Sequence, residues 1–242
     1  GIRRFPYSTE TSVFPLTFKD IRLSFEVHNV GEIWCNALWE MRAQLIQKYG
    51  FQEGQRQSIQ LVVDGMKLSP IVPSFLDARN AILLADRANN NGANQCLLWQ
   101  AFSKRGMGFK AYTTDTTDPT PVEDLGTAPF CSDIGVLSSD KINYVAGETL
   151  RISLGDRNAT GNVTVRVTTN ITGDQENVTL TPEPNVPGSY VGTLPLVEGP
   201  AAAGNGSLQG RPGDEIAITY NDPNTGNGSP GSVARSAATF AV

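Results

Sequence analysis

Apolar residues in the first part of the chain recur at the three-and-four spacing of amphipathic helices. The clearest run begins near His28 and reaches Tyr49, where Gly50 is a natural helix stop. Further helices are predicted from their apolar runs, caps and breakers. Their spans are residues 61–68, 74 to about 86, and 94–106. The pattern predicts a bundle of about four helices.

A change of period marks a second, different part. Residues 113–130 are rich in Thr, Asp and Pro and have few large apolar side chains, which is typical of an extended linker. Beyond them, apolar and polar residues alternate as in half-buried strands. The strand candidates are residues 149–154, 163–168, 177–181, 189–194, 215–220 and 236–242. We therefore predict a helical domain (1–112), a linker (113–130) and a β-sandwich (131–242).

Composition narrows the classes of function. The net charge of -5 and the pI near 5.0 argue against nucleic-acid binding, which is built largely from clustered Lys and Arg. The acidic excess lies wholly after residue 126, where 11 acidic side chains face 6 basic ones. No run of about twenty apolar residues could span a bilayer, so no membrane span is predicted.

The three cysteines are widely spaced. No two of them form a CxxC pair, and the chain has only one histidine that could serve as a further ligand. This argues against a structural zinc site built from Cys35, Cys96 and Cys131. Cys35 falls within a helical apolar pattern, which indicates a buried free thiol. Cys96 and Cys131 either pair or stay free, and the spacing leaves both open.

His28 is the only histidine, so a pair of histidine ligands is impossible and a catalytic triad has one possible base. The chain contains no HExxH, no GxGxxG after a strand, no Walker loop and no GxSxG elbow. Taken alone, His28 is most simply a hydrogen-bonded residue at a helix start.

The surroundings of His28 change that interpretation. Residues 26–34, E-V-H-N-V-G-E-I-W, fit the pattern E-V-H-x-x-G-x-x-W that opens a long helix in the fungalysin family of metallopeptidases. Other family-like segments flank it in order. They are residues 1–8, 15–18, 68–79, 85–86 and 92–108. The first part therefore resembles the C-terminal part of a fungalysin-family extracellular zinc metallopeptidase.

The resemblance implies a thermolysin-like catalytic domain whose zinc ligands, an HExxH helix and a later Glu, lie N-terminal to this chain. It implies that His28 stabilises the oxyanion of the attacked peptide carbonyl and that Arg3 grips a substrate carbonyl, with Arg4 as a rival for that role. Glu26 is a weaker candidate for orienting His28, because residues two apart do not share a helix face. By itself this chain is expected to bind no zinc.

One departure from the family pattern concerns a disulfide. Where the family has a cysteine that can bridge to the cysteine of A-N-K-C, this chain has Ile71, so Cys96 lacks that partner. Either Cys131 serves instead or Cys96 is free.

The second part is similar to the Ig-like repeat modules of bacterial extracellular proteins. The matching segments are residues 140–149, 178–181, 188–194 and 213–220. Three acidic loop residues, Asp156, Asp174 and Asp214, are candidates for binding Ca²⁺, with ordinary turn structure as the alternative.

The expected fold is thus multidomain α and β, a helical peptidase subdomain followed by an all-β Ig-like sandwich. The expected function is that of the C-terminal portion of a secreted zinc endopeptidase, partnered by the N-terminal remainder of the peptidase and by a protein or peptide substrate. The alternative is a non-catalytic secreted or surface binding protein that keeps a vestigial peptidase subdomain as scaffold.

Overall fold

The computed structural model describes residues 3–23 and 26–240, which divide into two compact units that meet in sequence between Ala128 and Pro129. We call the first the helical unit and the second the β unit. The predicted linker starts at residue 113, whereas the helical unit continues through Ala128.

The described residues of the helical unit form four α-helices in the predicted order, in agreement with the expected bundle of about four. They are α1 (Val27–Tyr49), α2 (Phe51–Leu68), α3 (Phe75–Asn90) and α4 (Gln95–Lys104), preceded by a 3-10 helix (Phe18–Leu23). The capping box at the start of α3 is confirmed, because Ser74 and Asp77 exchange hydrogen bonds. Gly50 ends α1 with a φ of 80°, as expected of a glycine at this position.

Helix α2 is longer than the predicted segment 61–68, because it begins directly after Gly50. The inward residues of its first half are small, and counting large apolar side chains misses them. A Cβ on Gly54 would lie 2.5 Å from the α1 backbone at Ile46, and one on Gly65 would lie 2.7 Å from Ile82 of α3. Small residues thus let α2 approach both neighbouring helices closely.

Trp34 joins α1 to the later helices. Its ring stacks on Phe75 at 5.4 Å and on Phe102 at 6.0 Å between ring centroids. Aromatic contacts of this kind add to the energy of area burial. They hold α1 against α3 and α4.

The segment after α4 is folded rather than extended. Gly108 N–H donates to Asp124 O at 2.7 Å, and Tyr112 pairs with Val122 in an isolated antiparallel bridge. The Glu123 carboxylate accepts hydrogen bonds from Thr17 Oγ1 at 2.5 Å and Lys19 Nζ at 2.6 Å. Hydrogen bonds therefore order a segment whose composition offers little apolar surface, up to the buried Ala128.

The segment before α1 is fixed by a buried ion pair. Arg105 is fully buried and binds Glu40 of α1 through Nε at 3.0 Å and Nη2 at 2.5 Å. The same guanidinium donates to Phe14 O at 2.6 Å and Ser8 O at 2.8 Å. One side chain thus fastens residues 8–14 to the helical bundle.

The β unit is a mostly antiparallel sheet. Its strands are β1 (Val136–Ser139), β2 (Asn143–Tyr144), β3 (Thr149–Gly155), β4 (Val163–Thr169), β5 (Gln175–Pro182), β6 (Ser189–Glu198), β7 (Leu208–Gly210), β8 (Glu215–Asp222) and β9 (Gly231–Phe240). Their order is β1-β3-β6-β5-β4-β8-β9-β2, with β7 beside β6. Only the β2–β9 and β6–β7 pairings are parallel among the described strands. Because β1 also approaches β9, the sheet nearly closes into a barrel.

The predicted alternation is confirmed in β4, where Val163, Val165 and Val167 are buried and Thr164 and Arg166 are exposed. All six predicted strands are present, although residues 241–242 of the last lie outside the described residues. The three short strands β1, β2 and β7 were not predicted, since two to four residues carry too little pattern. Because the sheet nearly closes on itself, the strands do not confirm the two packed sheets of an Ig-like sandwich, which stays a prediction.

Buried tyrosines make the β unit sensitive to alkali. Burial raises the pKa of Tyr144 to about 12, and its hydroxyl donates to Asp140 at 2.7 Å. Burial also raises the pKa of Tyr220, which donates to Asp156 at 2.9 Å. In the unfolded chain both tyrosines ionise near pH 10, so the stabilisation is intact below about pH 10 and is lost as the pH rises through the folded pKa.

We therefore expect the unfolding midpoint of the β unit to fall steeply between about pH 10 and pH 12. Thermal melts followed by near-ultraviolet circular dichroism measure it. Tyr144→Phe should make the fall shallower, whereas Tyr112→Phe, at an exposed tyrosine of the helical unit, should leave it unchanged. A midpoint that stays constant over this range would contradict the prediction.

Candidate functional site

Glu26 immediately precedes the first residue of α1. Its backbone is extended, with φ of -70° and ψ of 122°, and its Oε2 accepts a hydrogen bond from Asn29 N–H at 2.9 Å. A carboxylate at this position satisfies an otherwise unpaired helix N–H and interacts favourably with the positive end of the helix dipole. Glu26 is therefore the N-cap of α1.

The same carboxylate binds the only histidine. Glu26 Oε1 lies 2.5 Å from His28 Nδ1, and about half of each side chain is exposed. The hydrogen bond from His28 lowers the pKa of Glu26, with further contributions from backbone N–H groups. Among the described residues, His28 Nε2 has no hydrogen-bond partner. One ring nitrogen is thus held by the cap, and the other is open to an external group.

The sequence argument against Glu26 assumed that both residues lie in the helix. The structure differs because Glu26 keeps an extended backbone, so the rule for residues two apart on a helix does not apply. The cap geometry brings the two side chains together.

The two neighbouring arginines have different partners. Arg3 is exposed, and its Nη1 donates to His28 O at 2.5 Å. Arg4 binds the buried carboxylate of Glu32 through its backbone N–H at 2.9 Å and its Nε at 2.5 Å, and its Nη2 donates to Asn29 O at 3.1 Å. Arg4 is therefore taken up by an internal ion pair, and Arg3 is the arginine beside His28 that is available to a ligand.

Gly31 lies next to this arrangement. A Cβ at this position would lie 3.7 Å from Arg3 Nη1, which is ordinary van der Waals contact. The bare helix surface therefore leaves room for the Arg3 guanidinium, and a larger side chain would compete with it for the same space.

Chemically, the site offers hydrogen-bond donors beside the positive end of a helix. An imidazole held at Nδ1 and the guanidinium of Arg3, which is bonded to the carbonyl of His28, can together bind a carbonyl oxygen or a developing negative charge. A ring nitrogen donates only when it carries a proton, so donation to Glu26 and to a ligand at the same time requires a proton on both nitrogens.

Sequence reasoning missed Glu32 and the role of Arg4 in holding this site. A signal was present, because Glu32 follows His28 by one helical turn inside the matched motif, and a buried acidic residue requires a basic partner. Which arginine would pair with it depends on where the N-terminal segment crosses α1.

Within residues 3–23 and 26–240, no group of three or more His, Cys, Asp or Glu residues is placed to hold a metal ion. The described residues of this chain therefore do not fit a zinc site. The carboxylates of the three calcium candidates accept hydrogen bonds from backbone N–H groups, which are local for Asp156, distant in sequence for Asp174 and of both kinds for Asp214. These bonds come from Asn158 and Ala159 to Asp156, from Ala202 and Gln209 to Asp174, and from Ile171, Thr172 and Arg211 to Asp214. Turn structure accounts for Asp156, whereas Asp174 and Asp214 also tie segments that are far apart in sequence, and calcium binding stays a prediction.

The cysteines of the helical unit are now distinguished. Cys35 is a free thiol that is partly rather than fully buried, and Cys96 is disulfide-bonded. Ile71, at the position where the family pattern has cysteine, is 96% exposed. Cys131, in the β unit, is also disulfide-bonded.

Among the helices described, none has the length and apolar character that crossing a bilayer requires.

Comparison with known proteins places the first part of the chain in context. Residues 1–111 match the sequence model of the fungalysin metallopeptidase family (M36). The chain is 41% identical over 124 residues to the extracellular metalloproteinase MEP of Neosartorya fischeri, which covers 46% of this chain and 20% of that protein. It is 40% identical over 124 residues to extracellular metalloproteinase 3 of Trichophyton soudanense, covering 46% of this chain and 32% of that protein. The chain thus spans a fifth to a third of the length of these relatives.

Proposed function

We propose that this chain supplies the C-terminal part of a secreted zinc endopeptidase, in which His28 stabilises the oxyanion formed from the scissile carbonyl. The observation that carries the proposal is the pairing of His28 Nδ1 with the capping carboxylate of Glu26, which leaves Nε2 open. The matches to extracellular metalloproteinases support the same reaction class and an extracellular location.

Each residue has a definite task in this scheme. Glu26 fixes the imidazole ring through Nδ1, and His28 Nε2–H donates to the carbonyl oxygen as negative charge develops on it. Arg3 binds a second carbonyl of the substrate and so holds the peptide in place. Zinc would be held by residues of the preceding part of the complete enzyme and would supply Lewis-acid chemistry there.

The β unit has a separate role in this proposal. Its mostly antiparallel strands suit an appended Ig-like module, which we assign to spacing or binding outside the cell rather than to the reaction. The chemistry would then rest on the helical unit and on the preceding part of the peptidase.

The test compares this chain with the complete polypeptide. We expect the chain alone to bind no stoichiometric zinc and to hydrolyse no peptide, because its described residues provide no ligand set. The complete polypeptide should do both, as measured by elemental analysis and by cleavage of a fluorogenic peptide.

Two outcomes would contradict the proposal. Tight zinc binding with turnover by the chain alone would mean that the catalytic site had been misplaced. A complete polypeptide without zinc and without activity would instead support the non-catalytic binding protein.

A further inference from the structure

Glu32 is a buried carboxylate one helical turn after His28. It is fully shielded from solvent, and both of its oxygens accept hydrogen bonds from Arg4, Oε2 from the backbone N–H at 2.9 Å and Oε1 from Nε at 2.5 Å. Leaving such a charge unpaired is costly, so the position of Arg4 is strongly determined.

The hydrogen bond from the Arg4 backbone N–H to Glu32 shows how Glu32 affects the neighbouring Arg3. The N–H of Arg4 belongs to the peptide group that joins Arg3 to Arg4, so Glu32 fixes the main chain at the point where the Arg3 side chain departs. A second contact, from Arg4 Nη2 to Asn29 O at 3.1 Å, holds the same residue against the first turn of α1. The Arg3 guanidinium then meets His28 O at 2.5 Å.

We propose that Glu32 is a positioning residue, which acts through Arg4 to hold Arg3 beside His28. The inference rests on the proposed function, because Arg3 must bind substrate for its position to matter. Glu32 itself, being buried, has no contact with substrate. Its effect is on where the substrate carbonyl is held relative to the imidazole.

A positioning role makes a prediction that a general stabilising role does not. If Glu32 acts only through Arg3, its replacement has no further effect once the Arg3 side chain is absent. In the complete enzyme, Glu32→Gln and Arg3→Ala should each lower kcat/KM by about tenfold or more, mainly through KM. The double variant should be no worse than Arg3→Ala alone, so that the two losses do not multiply.

A matched control is available on the same helix. Glu40 is also a buried carboxylate of α1, but it pairs with Arg105 away from Arg3. Glu40→Gln should lower the unfolding midpoint without a specific rise in KM. Arg4→Lys keeps a positive charge opposite Glu32 but loses the guanidinium fork, and it should reproduce the Glu32→Gln kinetics if that variant folds poorly.

The isolated chain gives a second readout that needs no activity. In isotope-edited NMR relaxation measurements, the Arg3 guanidinium should show restricted side-chain motion in the wild type and in Glu40→Gln, because its Nη1 is bonded to His28 O. In Glu32→Gln and in Arg4→Lys its motion should approach that of a free surface arginine.

The outcomes separate the two proposals. If Arg3→Ala alone leaves kcat/KM unchanged, the role of Arg3 in substrate binding is wrong and the positioning inference fails with it. If Arg3→Ala is impaired but the losses multiply in the double variant, or if the side-chain motion of Arg3 is unaffected by Glu32→Gln, only the positioning inference is overturned.

Discussion

Replacing His28 with alanine in the complete enzyme is expected to lower kcat by about two to three orders of magnitude while leaving the zinc content unchanged. The open Nε2 is the atom proposed to donate to the oxyanion, and alanine offers no donor in its place. Because the oxyanion exists only in the transition state, the loss should appear in kcat and kcat/KM together, with KM little changed.

The measurement combines steady-state kinetics on a peptide substrate with elemental analysis of the purified variant. Glu26→Gln serves as the matched comparison, since it keeps an oxygen at the N-cap but removes the charge that faces His28 Nδ1. We expect it to lower kcat less than His28→Ala does. Loss of zinc in His28→Ala would contradict the assignment, because it would make His28 a metal ligand.

The second large effect is on stability. Replacing Arg105 with methionine should destabilise the helical unit by about 3–5 kcal/mol, because it leaves the Glu40 carboxylate buried beside only the partly exposed Lys104. The carbonyl of Phe14 also loses the Arg105 donor, and that of Ser8 keeps only the bond from Asn36 Nδ2 at 3.2 Å. Since whole domains are stable by only about 5–15 kcal/mol, the unit should be close to unfolding.

Urea unfolding followed by far-ultraviolet circular dichroism measures this loss. The double variant Glu40→Met with Arg105→Met removes both charges and should recover part of the lost stability, because no unpaired charge remains buried. Arg56→Met, which breaks an exposed pair with Glu53, should leave the midpoint unchanged. A loss below about 1 kcal/mol for Arg105→Met would mean that the pair contributes little.

Local sequence patterns predicted the ends of helices well where a single residue determines the end. Gly50 ends α1 because it adopts positive φ, and Ser74 starts α3 because its hydroxyl caps a free N–H. The start of α2 was missed, because its inward residues Gly54 and Ser58 are small rather than apolar. These small residues matter because a neighbouring helix packs closely against them. The sequence alone does not show which helix that is.

The sequence also predicted only part of the candidate site. His28 was found from its motif, and its place at the start of α1 follows from the chain alone. Glu26 was judged weak because the sequence does not show that its backbone stays extended, and only that geometry lets its carboxylate reach both Asn29 N–H and His28 Nδ1. The choice between Arg3 and Arg4 was open for a similar reason.

By itself, the sequence determined the division into a helical and a β part, the order of the helices, the alternation within the longer strands and the position of the single histidine. These depend on residues close together in the chain, through backbone hydrogen bonding, capping and periodicity. The tertiary structure decided the pairing of Arg4 with Glu32, the anchoring of residues 8–14 by Arg105 and the near closure of the β sheet. Each of these joins residues far apart in sequence, and the buried charges find their partners only when packing excludes water from them.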